Sequence, residues 1–381
     1  MSENMFLEKL LDGAEVAWVP LGETAQVLRG RRLTRKELSD DEAFPVFHGG
    51  LEPMGYYSES NRPANTAMII NVGASAGTVG FSSSQFWSSD GCYAISHCDW
   101  LNSKFLYYTL IGFQHHLRSR VRVAGIPTLD AIVVEKLLIP IPCPENPEKS
   151  LAIQAEIVRI LDTFTELTTE LTTELTARKK QYNYYRDQLL TFEDGDVEWK
   201  PLGELAENRD SKRKPITSGS REPGETPYYG ASGIVDYVKG FIFDGDYLLV
   251  SEDGANLLAR STPIAFSIHG KTWVNNHAHV LEFETYAERK YVEYYLSNID
   301  LTPYISGAAQ PKLNKKNLNS IGIPNPPLEE KARIVAILDK FDTLTHSISE
   351  GLPREIELRQ KQYEYYRDLL LNFPKNQTVA S

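Results

Sequence analysis

The chain has 381 residues, 41% of them hydrophobic and 24% charged, and a formal net charge of −11. That length suits two or three domains with cores of their own. The absence of any long apolar run argues against a membrane span, and three cysteines without paired ligand spacing argue against a disulfide framework or a structural zinc site. The N-terminus is acidic where a secretory leader is basic, so a cytoplasmic protein with reduced thiols is expected.

The acid is unevenly spread. Residues 22–140 are neutral overall and residues 203–322 carry −2, so the excess gathers in the segments outside them, and those two stretches stay compatible with a polyanionic ligand.

In chain order, Leu10-Leu11-Asp12-Gly13 reads as the tail of a helix, because Leu189 to Gly195 repeats it at a later junction. Residues 1–15 are therefore expected to complete the helical region at the other end of the chain. Val16-Ala17-Trp18-Val19-Pro20-Leu21-Gly22-Glu23 opens a block at 16–143 and returns as Val197-Glu198-Trp199-Lys200-Pro201-Leu202-Gly203-Glu204, which opens a second block at 196–327. Both blocks alternate short apolar runs, such as Ala67 to Gly73 and Asp246 to Val250, with Gly, Asn, Ser and Pro. Each also holds one helical pattern, at 103–117 and 286–299, so both are mixed α/β domains, and clustered prolines at 140–147 and 324–327 mark where they end.

A helix is predicted in each of the remaining segments, 144–195 and 328–381. Ile153, Ile157, Ile160, Phe164, Leu167 and Leu171 step by 4, 3, 4, 3, 4, the period of a coiled-coil seam that needs a partner. Residues 165–176 are Thr-Glu-Leu-Thr written three times, and the fourth-residue step to Leu175 is a stutter in the seam. IVRILD at 157–162 returns as IVAILD at 334–339, and Gln181-Tyr182-Asn183-Tyr184-Tyr185-Arg186-Asp187 as Gln362-Tyr363-Glu364-Tyr365-Tyr366-Arg367-Asp368. The offset grows from 177 to 181, so the second helix carries four more residues before its tyrosines. Gly351 and Pro353 predict a kink or break there. The fold class expected is α+β: two mixed globular domains separated by two long helices that pair as an antiparallel coiled coil, with a pseudo-twofold internal repeat.

Catalytic motifs are missing. Asn325-Pro326-Pro327-Leu328 resembles an amino-methyltransferase motif but lacks its aromatic residue and any glycine-rich turn for a methyl donor before it. Glu198-Trp199-Lys200 has the Glu-x-Lys of a metal-dependent nuclease without an upstream Asp, and His277-Ala278-His279 offers two imidazoles without an identifiable third ligand. No catalytic residue, metal or cofactor is expected.

The duplicated block-plus-helix plan, the IV-x-ILD and QY-x-YYRD sequences and the tetrapeptide array together resemble the type I restriction-modification specificity subunits over essentially the whole chain. So do the stretches Tyr228 to Gly233, Asn275 to His279 and Gly307 to Leu313. The resemblance implies that each block is a target-recognition domain reading one half of a split, asymmetric site in double-stranded DNA, and that the helices act as a ruler. It also implies partners: two methyltransferase (modification) subunits and the restriction/translocase subunits of the full complex, with no membrane and no cofactor held by this chain. Base reading needs planar donors and acceptors at groove edges, and basic side chains on phosphates. The candidates in the first domain are Arg29, Arg31, Arg32, Arg35, Arg118, Arg120 and Arg122. In the second they are Lys212, Arg213, Lys214, Lys312, Lys315 and Lys316 for phosphates, and Asn256, Asn275, Asn276, His277 and Gln310 for bases. Tyr182, Tyr185, Tyr363 and Tyr366 are the candidates for docking the methyltransferase. Two other readings compete: a two-module scaffold that does not bind DNA, and a single-chain methyltransferase or nuclease. The first leaves the tetrapeptide array without a purpose, and the second requires the missing motifs.

Overall fold

The computed structural model describes residues 5–193, 195–307 and 311–373, and Gln310 lies outside them. The chain divides into two compact units, residues 1–172 with 355–381 and residues 173–354. In the first unit a short helix, Met5–Leu11, precedes β1 (Val16–Pro20), β2 (Ala25–Arg29), β3 (Phe44–Phe47), β4 (Tyr56–Tyr57), β5 (Thr66–Ile70), β6 (Val79–Ser82), β7 (Trp87–Ser88), β8 (Cys92–His97) and β9 (Leu138–Pro142). They form an antiparallel ribbon β1-β9, an antiparallel sheet β2-β8-β5-β6, and a smaller sheet β4-β3-β7 whose β3 and β7 run parallel.

The second unit repeats this plan. Its strands are β10 (Trp199–Pro201), β11 (Glu207–Asn208), β12 (Pro223–Gly230), β13 (Gly233–Val238), β14 (Phe243–Asp244), β15 (Tyr247–Ser251), β16 (Ala265–Ile268), β17 (Lys271–Val274), β18 (Ala278–Glu282) and β19 (Gly322–Pro324). The sheets are β10-β19, β11-β18-β15-β16 and β13-β12-β17-β14, so the second unit adds only β14 to the order of the first.

The central strands β5 and β15 are buried along their whole length because both faces are covered, and apart from Thr66 and Ser251 at their ends they are apolar. Side chains alternate across a strand, so Ala67 and Ile69 join the core under helix Ser103–Gly112 while Met68 and Ile70 face Phe47 and Phe86 of the smaller-sheet side. In the second unit Leu248 and Val250 pack toward helix Tyr286–Asn298, and Tyr247 and Leu249 pack with Phe243 and Val274. Side chains cap both helices at their N-termini. Asn102 accepts from the backbone N–H of Lys104 and Phe105, and Thr285 accepts from that of Glu288.

Pro147–Leu190 is one helix of 44 residues. Its early seam residues Ile153 and Ile157 are buried in the first unit's core, where Leu161 rather than the expected Ile160 takes the next buried place and Ile160 is only partly buried; the core also takes in Leu7, Leu11, Leu370 and Phe373. Its late residues Tyr182 and Leu190 are buried with Ile334, Val335 and Leu338 in the second. Within that second unit Tyr182 meets His346 while Tyr185 stacks on Phe341, so the two helices run antiparallel. Between these ends the repeat leucines Leu167, Leu171 and Leu175 are only half-buried. The threonine hydroxyls here turn back onto the helix: Thr165 donates to the Leu161 carbonyl, Thr168 to Phe164, Thr169 to Thr165 and Thr172 to Thr168.

The second helical segment is two helices, Leu328–His346 and Leu352–Leu371. Gly351 lies at φ +82, and a Cβ there would sit 2.3 Å from the Thr343 carbonyl oxygen, so the turn requires glycine, while Pro353 falls in the first turn of the next helix, where its missing N–H costs nothing. The four-residue offset between the repeats thus falls where the helix is interrupted.

Candidate nucleic-acid interface

Both units fix a basic entrance segment in the same way. An indole N–H from the smaller sheet donates to a backbone carbonyl: Trp87 Nε1 to Arg31 at 2.7 Å, and Trp273 Nε1 to Lys214 at 2.6 Å. Gly30 lets the first segment lie flat, since a Cβ would meet the Ser89 carbonyl oxygen at 2.0 Å. Arg29, Arg31, Arg32 and Arg35 are exposed, as are Lys212 and Lys214, and none has an ion pair or side-chain hydrogen bond among the described residues. Arg213 between the two lysines turns inward, to Asp210 at 3.3 Å, Glu252 at 2.9 Å and the Ala278 carbonyl at 2.8 Å.

A hairpin stands beside each segment. In the first unit Arg122 and Thr128 exchange backbone hydrogen bonds of 2.9 and 3.0 Å, and in the second Ser306 and Lys312 exchange bonds of 2.9 and 2.8 Å. The core holds the two hairpin bases identically: the N–H of Leu129 donates to Asn71 and that of Leu313 to Glu252. Tyr93 Oη donates to the Leu129 carbonyl at 3.1 Å, and at the equivalent place His279 Nε2 lies 2.6 Å from the Leu313 carbonyl. Tyr93 pairs with Arg29 across β2 and β8, so the first hairpin base and the entrance segment share one buried post. Arg118 donates to Thr78 Oγ1 and Arg122 pairs with Asp130 at 2.8 Å, both on the surface, whereas exposed Arg120 has no such partner among the described residues.

The second unit's site is a charged network. His279, 1% exposed, places Nδ1 2.6 Å from Asp210. Burial alone would raise the Asp210 carboxyl, but the hydrogen bond and charge of His279, the Val280 N–H and Arg213 outweigh it and hold the group below the usual carboxylate range. His277 pairs with Asp253 at 2.6 Å, and Lys312 lies 3.6 Å from Asp253 and 4.0 Å from Glu252. Asn275 is buried with Oδ1 accepting from the His277 N–H, and Asn256 braces the loop after its helix through Thr262 N–H and carbonyl. Asn276, Lys315 and Lys316 are exposed without such partners among the described residues. The two imidazoles weighed above as a metal pair separate, His277 outside and His279 inside, and among the described residues no group of three or more His, Cys, Asp or Glu side chains is placed to hold a metal ion.

The motifs set aside in the sequence have structural partners. Asn325 accepts from Lys331 Nζ at 2.6 Å, and Glu198 pairs with Lys200 at 3.4 Å. Of the tyrosines singled out for docking, Tyr182 is 8% exposed and Tyr363 is packed against the first core, while Tyr185, stacked on Phe341, stays 41% exposed and Tyr366, stacked on Phe164, is half-buried. Their neighbours Tyr184, 61% exposed, and Tyr365, 50% exposed, face outward more fully. Sequence reasoning missed them, although helical periodicity that buries Tyr182 turns Tyr184, two residues on, toward the opposite face.

The family described as the type I restriction modification DNA specificity domain matches residues 14–179 and 195–358. The chain is 39% identical over its whole length to the full specificity subunit of the Escherichia coli type I restriction enzyme EcoR124I/EcoR124II. It is 36% identical, over 92% of this chain and 93% of that one, to the Escherichia coli EcoprrI specificity subunit. The fold also matches the type I restriction-modification S subunit from M. genitalium, with a TM-score of 0.66 at 19% identity, covering 96% of this chain and 98% of that one. Among the described residues no helix is long and apolar enough to cross a membrane.

Proposed function

The chain belongs to the type I restriction-modification DNA specificity family, and from that premise we propose how its two units divide the reading of DNA. It is the subunit that recognises the DNA target for a type I restriction-modification system. Each recognition domain, taken as residues 16–143 and 196–327, reads one half of a bipartite target. The observation that carries this is the duplicated site: the same sheet plan, the same indole-pinned basic segment and the same bridge-closed hairpin base recur in both units. Duplication of a reading surface on unlike side chains fits an asymmetric target in two parts.

Within each site, the exposed and unpaired cations are assigned to phosphates: Arg29, Arg31, Arg32, Arg35 and Arg120 in the first, Lys212, Lys214, Lys315 and Lys316 in the second. Asn276 is assigned to a base edge, and Gln310 keeps that assignment from the sequence alone. Arg213, Asn275 and Asn256 are engaged by bonds within the protein and shape the loops that carry the contacts, and His277, on the surface, is paired with Asp253. The chain supplies no catalytic group. Methyl transfer and cleavage belong to the partners, two methyltransferase subunits docked on the helices and the restriction/translocase subunits that join them. Methylome sequencing of a host carrying this chain with a methyltransferase partner tests the reading. The expected result is one methylated motif of two specified parts around an unspecified gap; a continuous motif, or a genome without new methylation, would overturn it.

A further inference from the structure

The hairpin between Arg122 and Thr128 has an apolar tip. Val123 is 80% exposed and Ile126 is 72% exposed, two β-branched side chains on one loop, both barer than the domain's other exposed aliphatics Leu51, Ile132 and Leu138, which are 41%, 52% and 44% exposed. The loop is held stiffly: Gly125 turns it at φ +84, the Arg122 and Thr128 backbones close it, and the Gly73 N–H donates to the Pro127 carbonyl beneath it. An exposed tip that is both apolar and fixed serves contact with something outside the chain better than it serves folding.

Charge identifies the occupant. Arg118, Arg120 and Arg122 lead into the tip, Arg29 adjoins its base through Tyr93, and the matched hairpin of the second unit ends at Lys312 with Lys315 and Lys316 just beyond. Basic side chains around an apolar fingertip suit a nucleic-acid groove, with phosphates at the rim and bases at the floor. In the major groove the apolar group that a base edge presents is the C5-methyl of thymine. We propose that Val123 and Ile126 are specificity-determining residues that pack on a thymine methyl in the half-site read by the first unit. This rests on the DNA-reading function above. In sequence, Ile126 precedes Pro127 as Gln310 precedes Pro311, so the two repeats carry an apolar and a polar residue at corresponding sequence positions.

The test is a cycle between protein and DNA methyl groups. Methylome mapping first gives the two half-sites. Binding of the chain, assembled with its methyltransferase partner, is then measured on the target duplex and on duplexes with each thymine of the first half-site replaced by uracil, for wild type and for Val123→Ala, Ile126→Ala and the double variant. At one thymine, uracil should weaken wild-type binding about fourfold, the worth of one buried methyl group. The Ile126→Ala or double variant should bind the normal target more weakly and show no further loss with uracil at that position. Both side chains are exposed, so the variants should fold, and uracil in the second half-site should affect all proteins alike. Equal loss on every duplex would overturn the proposal in favour of a wedge between base steps. Wild-type binding by the double variant, or a first half-site without an A·T pair, would overturn it as well. Failure of the wild-type complex to bind any methylated target would instead sink the DNA-reading function beneath it.

Discussion

Asp162 and Asp339 end the two recurring IV-x-ILD segments, and each fastens its helix to the globular layer of its own unit. Asp162 accepts from Tyr108 Oη and Lys104 Nζ, both at 2.6 Å, and Asp339 accepts from Tyr294 at 2.6 Å and Tyr286 at 2.7 Å. Burial, and then the bond to the aspartate, push the Tyr108 and Tyr294 phenols well above their ordinary range, so both stay neutral donors. Asp210 has a comparable role under the second reading surface, joining His279, Val280 and Arg213. Asp210→Ala leaves a buried imidazole N–H without its acceptor, and the expected loss at neutral pH is about 2 kcal/mol. Because the folded carboxyl is held below its unfolded value of about 3.9, its stabilisation is complete above that pH and disappears as pH falls through the depressed value. Urea unfolding of wild type and variant should therefore differ above about pH 4 and converge as pH falls below it; a gap that persists undiminished in acid would contradict this.

At the scale of elements, the long helix is the adjustable part. Its ends are buried, but its middle rests on half-buried leucines and on threonines bonded to their own helix, so a tetrapeptide can be lost there without opening a core. Thr165 also lies 3.4 Å from Tyr108, which makes residues 169–172 the better unit to remove. Their deletion shortens the helix by about 6 Å and rotates one end against the other by only about 40°. With base pairs spaced about 3.4 Å along a strand, the expected outcome is a methylation motif with the same two half-sites and a gap shorter by one or two pairs. Methylome mapping of deletion and insertion variants checks it, and an unchanged gap would show that the array is no ruler.

At the scale of the whole molecule, duplication should present one kind of partner with two equivalent docking places. Tyr184 and Tyr365 occupy corresponding positions and stand outward, each edge-on to its stacked neighbour at 5.4 Å. Replacing both with Ala should weaken capture of the methyltransferase subunit at least tenfold, as expected for exposed aromatic anchors at an interface. The same double variant should keep the thermal stability of the chain alone. Each single variant should lose mainly one of two bound methyltransferase subunits in native mass spectrometry. Full occupancy by the double variant would move the docking surface elsewhere.

The sequence alone determined the repeat, the alternation of mixed blocks with helices, and a disturbance of the second helix near Gly351 and Pro353 that it left open between kink and break, because each is written in local pattern: identical strings, spacing by three and four, and residues with restricted backbones. It also determined which cations are present, but not which are free. Arg213 and Lys214 are neighbours of the same charge, yet one is bound by Asp210 and Glu252, three and thirty-nine positions away, and the other stands in solvent. Likewise, only the fold brings Tyr93 and His279 under matching hairpins, and only the fold leaves Val123 and Ile126 bare. Local pattern decides which elements form; long-range packing decides which side chains remain to meet DNA.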